Sequence, residues 1–236
     1  MIRYILFTFA ITFFIAGAAI AATEGLVLFL SFDDEDIVDQ SQQPTNVTVH
    51  GNLQLAEGKI GQAFDFDGAT FLEVDHAEKL EGMDGLTIEA WVFPRATGNM
   101  CIVAKREATQ VNEVYTLFTR PAIEGRINYD GVTKLRSDAL QENTWYHIAF
   151  VFDGVAPEAE RMKLYLDGIL VVTQSHPDTK VAQGGAPLWV GELDANRGYL
   201  WNGLIDELGI WERALSAPEI AQLYNGGNGI TYVPSP

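Results

Sequence analysis

Every apolar run beyond residue 25 is short enough to be a strand and too short to be a spanning helix. Leu86-Thr-Ile-Glu-Ala-Trp-Val-Phe93 stops at Pro94, and Trp145-Tyr-His-Ile-Ala-Phe-Val-Phe152 stops at Asp153-Gly154. Met162–Leu166 and Ile169–Thr173 flank Asp167-Gly168, the strongest hairpin signal in the chain. Strand residues alternate between faces, so Ile88, Ala90 and Val92 oppose Glu89, Trp91 and Phe93. In the same way Tyr146, Ile148, Phe150 and Phe152 oppose Trp145, His147 and Ala149. Further strands are expected over Leu26–Phe32, Val47–Leu55, Ile102–Lys105, Val114–Arg120, Arg126–Tyr129, Leu188–Gly191 and Leu204–Trp211, with Ala63–Gly68 and Phe71–Asp75 as a hairpin. One helix start is well marked, by Ser216 as N-cap, Pro218 in the first turn and Glu219 at the capping-box position, with a stop at Asn225-Gly226. Many short strands with one short C-terminal helix define an all-β sandwich or barrel.

Residues 1–21 stand apart from this pattern. A positive start at Met1-Ile2-Arg3, an apolar stretch from Ile5 to Ile20 and the small-x-small site Ala19-Ile20-Ala21 read as a secretory signal peptide cut after Ala21. An uncleaved anchor is the alternative, because the stretch is only slightly short for a spanning helix. Residues 22–225 read as one domain and 226–236 as a loose tail, which places the mature protein outside the cell or in its envelope with no further membrane contact. Cys101 is the single cysteine, so no internal disulfide can form and a small buried hydrophobe is its simplest role. The formal net charge of −17 opposes nucleic acid and anionic membrane as partners. It suits a cation such as calcium, although a generally acidic surface is the plainer reading.

Strict alternation puts Leu204, Asp206, Leu208 and Ile210 on one face, leaving one carboxylate in an apolar row. A buried charge of this kind needs a partner, hydrogen bonds or a metal.

Several phrases occur in a telling order: Leu30-Ser-Phe-Asp33, Gly58-Lys-Ile-Gly-Gln-Ala-Phe-Asp-Phe-Asp-Gly68, Leu86-Thr-Ile-Glu-Ala-Trp-Val92, Trp145-Tyr-His-Ile-Ala149, Leu164-Tyr-Leu-Asp-Gly168, Gly203-Leu-Ile-Asp-Glu207 and Arg213-Ala-Leu-Ser216. Together they closely resemble the laminin-G-like jelly-roll domain of the concanavalin A-like lectin/glucanase superfamily, over Leu26 to Tyr224. The resemblance implies an antiparallel two-sheet β-sandwich with its first and last strands side by side. It further implies a structural calcium near those strands and a glycan or extracellular protein as partner. Asp33 and Asp206 would then share the cation, with Asp39 a third candidate and carbonyls of the 36–46 loop completing the shell. That loop departs from the family pattern, reading Ser41-Gln-Gln-Pro44 where Ser-Gly and Asn-Gly pairs are usual. The alternative is that these aspartates only accept backbone hydrogen bonds.

Hydrolases of this superfamily carry Glu-x-Asp-x-Glu on one strand, which sets nucleophile and acid on one face. The equivalent strand here holds only Glu89, and His50, His76, His147 and His176 lack zinc spacing. The expectation is a non-catalytic binding module, with a divergent glycoside hydrolase or lyase and an envelope adhesion protein as alternatives. Glu89, Trp91 and His147 are candidates for a glycan-binding patch, as is Tyr199 in the Asp194–Tyr199 loop. Packing is the competing role for the strand residues.

Overall fold

The computed structural model describes residues 23–231 except 109–110, 130, 132 and 195–197. The expected signal segment lies outside them. In chain order the strands are β1 (Leu26–Leu30), β2 (Val47–His50), β3 (Leu55–Glu57), β4 (Gln62–Asp67), β5 (Phe71–Val74), β6 (Gly85–Pro94), β7 (Met100–Lys105) and β8 (Tyr115–Arg120). They continue with β9 (Ala122–Ile127), β10 (Leu135–Ala139), β11 (Tyr146–Asp153), β12 (Met162–Leu166), β13 (Ile169–Gln174), β14 (Leu188–Val190) and β15 (Asn202–Trp211). Two antiparallel sheets result. One runs β13-β12-β11-β6-β15-β4-β3 with β1 also on β15, and the other runs β10-β9-β8-β7-β14-β5-β2.

The alternation read from sequence sets the core. Ile88, Ala90, Val92, Ile148, Phe150 and Phe152 pack between the sheets against Leu72, Val74, Ile102, Leu117 and Ile123. Asp167 and Gly168, at φ 51° and 74°, make the tight turn between β12 and β13. Helix α1 (Ala217–Tyr224) starts with the expected capping box and ends at Asn225 in the left-handed conformation. Its Ile220 and Leu223 bury against Phe29, Ala149, Val151, Tyr165 and Trp211 on the outer face of the eight-stranded sheet. The expected loose tail is packed as far as Ile230, which joins the same cluster.

Three expectations change. β4 and β5 are not a hairpin, since they lie in different sheets. The Asp67 carboxylate accepts the N–H groups of Ala69 and Thr70 and turns the chain from one sheet to the other. Val47–Leu55 is two strands, broken at Gly51, where φ is 114°. β10 was not foreseen, because Leu135-Arg-Ser-Asp-Ala139 is a mostly polar edge strand without an alternating apolar pattern.

The outer face of the seven-stranded sheet carries buried charge. Glu113 bridges Arg106 and Arg126 at 3.1 and 3.2 Å, Asp194 also bonds Arg106, and Glu124 joins Arg126 to Arg136. Arg126 lies 4.7 Å from the Phe118 ring centre and 4.0 Å from that of Tyr129. Buried ions in a chain are costly to break singly. Glu113→Gln keeps the size of the side chain but removes the central charge and turns one of its two acceptor oxygens into a donor facing an arginine, and thermal unfolding should show a loss of about 1.5 kcal/mol or more.

Candidate functional site

The long strand β15 changes neighbours midway. Its first half, Asn202–Ile205, pairs with β4, and its second half, Leu208–Trp211, pairs with β1. Asp206 and Glu207 fall in the gap between these pairings. The register with β6 slips there, between Asp206 and Gly209, and Glu207 takes φ 50°. This bulge moves the side chains by one position. Ile205 therefore joins Leu208 and Ile210 in the core between the sheets, whereas Leu204 and Asp206 do not. The expected shared face of Leu204, Asp206, Leu208 and Ile210 is corrected accordingly. Asp206 instead lies on the outer face, paired across β6 with Trp91.

The Asp206 side chain is fully buried. Its Oδ2 accepts the N–H groups of Lys59 and Ile60 at 2.8 and 2.9 Å, from the turn that leads into β4. Its Oδ1 is sealed from solvent and, among the described residues, has no well-formed hydrogen bond, although the Glu207 N–H lies close enough to the carboxylate to lower its pKa. Burial pushes its pKa up to about 7, the Ile60 and Lys59 N–H groups pull it down, and the Asp33 charge adds to the rise. Asp33 leaves the end of β1 beyond Phe32, whose φ is 63°, and its Oδ1 accepts the Gln62 N–H at 3.0 Å. Two glycines make the shared turn possible. A Cβ at Gly58 would lie 2.7 Å from Asp206 Oδ2, and one at Gly61 would collide with Asp33 Oδ1. Thus Gly58-Lys-Ile-Gly61 wraps both aspartates, and the first and last strands meet as the family resemblance implies.

Glu207 was missed by sequence reasoning, because strict alternation sends it away from Asp206. It is buried, and neither carboxylate oxygen has a hydrogen-bond partner among the described residues. Burial, then the charges of Asp206, Glu89 and Asp33, raise its pKa to about 9. Its neighbour in sequence, an aspartate on the closing strand, was the only available signal.

Asp39 is placed elsewhere. Its Oδ1 accepts the N–H groups of Phe29 and Ser41, and its Oδ2 those of Thr45 and the Lys79 ammonium. These four bonds fasten the 39–45 loop to β1 and leave Asp39 a structural acceptor. Among the described residues, no group of three His, Cys, Asp or Glu side chains is arranged to hold a metal. Asp33 and Asp206 therefore offer two carboxylates, and any calcium shell there needs carbonyl and water oxygens as well. Asp206 Oδ1, without a well-formed hydrogen bond among the described residues, fits such an ion.

Glu89, Trp91 and His147 do come together, but beneath a lid. Their exposures are 1%, 2% and 0%. His147 Nε2 is 2.8 Å from Glu89 Oε1, out of line for a well-formed hydrogen bond. Tyr224 of α1 stacks on Trp91 at 5.8 Å and tilts against His147 at 5.9 Å. Lys59 lies 4.6 Å from the Trp91 ring centre, and a Cβ at Gly229 would lie 3.0 Å from the indole nitrogen. Of the two roles expected for these residues, a glycan-binding patch or packing, the structure places them in packing under the C-terminal helix. Tyr199 lies on the other sheet, half-buried, with its ring stacked on Phe118 at 5.7 Å.

The profile of the concanavalin A-like lectin/glucanases superfamily matches residues 66–221. The chain belongs to that superfamily. No curated protein matches this superfamily member by sequence. Similar solved structures include the binding domain of Paraclostridial Mosquitocidal Protein 1, at 18% identity and TM-score 0.69, covering 87% of this chain and 53% of that one. Domain 4 of AbnA, an extracellular GH43 arabinanase from Geobacillus stearothermophilus solved with arabinotriose, matches at 20% identity and TM-score 0.65, covering 84% and 97%. Botulinum neurotoxin type C, in a structure concerned with its interaction with two ganglioside molecules, matches at 13% identity and TM-score 0.68, covering 87% and 52%. The chain thus spans about half of the two toxin chains. No helix among the described residues is long and apolar enough to cross a membrane.

Proposed function

We propose that the chain is an exported, non-catalytic binding module whose first and last strands are tied by a calcium ion, and that it recognises a glycan or a cell-surface partner. The observation that carries the calcium is the buried Asp206 Oδ1, which lacks a well-formed hydrogen bond and lies within the influence of Asp33 and Glu207. A divalent cation there would be held by Asp33 and Asp206 and would neutralise like charges that otherwise repel. The binding role is supported by the company the fold keeps, since similar domains in other proteins are solved with arabinotriose or described in terms of gangliosides. Glu89, the one acid on the strand where related hydrolases carry their pair, is enclosed with His147 under α1 and out of reach of a polysaccharide.

The test is binding of the purified mature chain to a glycan array and to intact cell surfaces, with calcium and with EDTA. Retention of a defined ligand class with calcium, weakened about tenfold or more by EDTA, is the expected result. Absence of any ligand in every condition would remove the binding reading.

A further inference from the structure

The outer face of the seven-stranded sheet holds a surface aromatic ring fixed in advance. The Tyr199 carbonyl accepts the Cys101 N–H at 2.6 Å, and its own N–H reaches Glu192 Oε1 at 3.3 Å. That same buried oxygen receives the N–H groups of Leu193 and Gly198 at 2.9 and 2.8 Å. Phe118, 1% exposed, supports the ring from β8. The Tyr199 backbone is thus held from both sides and its ring from below, so a ligand would not have to order it.

Arg120, exposed at the end of β8, stands beside this ring. Its guanidinium is 5.5 Å from the ring centre and hydrogen-bonds the Tyr199 hydroxyl through Nη2. Other described arginines are differently employed. Arg95, Arg106, Arg126, Arg136 and Arg213 each meet a carboxylate, and Arg161 bonds the carbonyls of Ala156, His176 and Pro177. In a chain with 32 acidic and 15 basic residues, a guanidinium that among the described residues meets a phenol and no acid keeps a donor edge for an external anion. That planar edge matches a carboxylate in bidentate geometry.

We infer that Arg120 and Tyr199 form a subsite for a saccharide bearing a carboxylate, with the sugar ring against the exposed part of Tyr199 and the carboxylate on Arg120. The inference rests on the binding reading above and gives it a ligand class and a place. The net charge of −17 disfavours long polyanions, so recognition is of one local acid group.

The experiment titrates the full mature chain, with calcium present, against two matched pairs: 3′-sialyllactose with lactose, and trigalacturonate with its methyl ester. At least one acidic member should bind about tenfold or more tightly than its neutral partner, and which pair responds separates sialate from uronate. Arg120→Gln should abolish that preference, and Arg120→Lys should restore only part of it, because an ammonium lacks the forked edge. Tyr199→Ala should lose both members of the responding pair. Circular dichroism melts of the Arg120 variants should coincide with wild type, separating a ligand contact from a structural one. Equal affinity within both pairs, no binding to either pair, or a preference surviving in Arg120→Gln would overturn the inference. If the array or cell surfaces still show a ligand in those cases, the binding reading stands with its site elsewhere.

Discussion

Chelation with EDTA will lower the melting temperature of the wild-type protein by about 5–10 °C and leave Asp206→Asn unmoved. A cation present at a hundred times its dissociation constant adds about 2.7 kcal/mol to a folded state that alone binds it. A domain of this size shifts by about 2–4 °C for each kcal/mol. The asparagine variant is preferable to alanine, since its amide oxygen can still accept the Lys59 and Ile60 N–H groups that Asp206 Oδ2 now receives. Differential scanning calorimetry with added calcium, with EDTA, and with calcium restored measures the effect. A wild-type melt indifferent to EDTA would sink the calcium site, and an Asp206→Asn melt that still falls with EDTA would move it away from this strand.

The second large effect is a pH dependence that appears only when the cation is gone. Asp206 rises from 3.8 to about 7 and Glu207 from 4.5 to about 9 on folding, in both cases chiefly through burial. A carboxyl whose folded pKa is raised makes the native state bind more protons than the unfolded chain between the two values. Stability is then lost as pH climbs through that window. The chelated protein should therefore be most stable near pH 5 and lose stability progressively towards pH 9. At about 1.4 kcal/mol for each tenfold change in proton affinity, Asp206 alone accounts for roughly 2.5 kcal/mol between pH 5 and pH 8. Carboxyls held below their usual values, such as Glu81, Glu124 and Glu219, titrate under this window and tilt stability the other way only in acid. Calcium should flatten the profile, and Glu207→Gln should flatten its upper half in EDTA. Thermal melts from pH 5 to 9 decide the matter, and a level or rising curve in EDTA would refute it.

Much of the fold was legible because it is written in short-range periodicity. Ile88, Ala90 and Val92, or Ile148, Phe150 and Phe152, announce a core face by spacing alone, and all six lie there. Ser216 and Glu219 announce a helix start through four residues of local chemistry. The side-by-side first and last strands followed from family resemblance, and Leu30 does face Leu208. By contrast, the jump of the chain at Asp67 between sheets looks in sequence like any hairpin, because both strands keep their alternation. The slip at Glu207 is also silent, because a bulge is caused by what happens to neighbours: β4 ends its pairing there and β1 begins.

Read alone, the sequence determined an all-β sandwich or barrel, the core-facing rows of its two best strands, and that Asp206 is an anomaly in need of a partner; the choice of sandwich came from the family resemblance. Those properties depend on the nature of a side chain and its spacing along one strand. Only the tertiary structure decided that Asp39 serves the loop at Lys79 and that Glu207 joins the buried carboxylates. It also decided that Glu89, Trp91 and His147 are closed over by α1, while Tyr199 remains at the surface beside Arg120. Strand alternation says on which side of a sheet a residue stands, but what covers that side is set by segments far away in the chain.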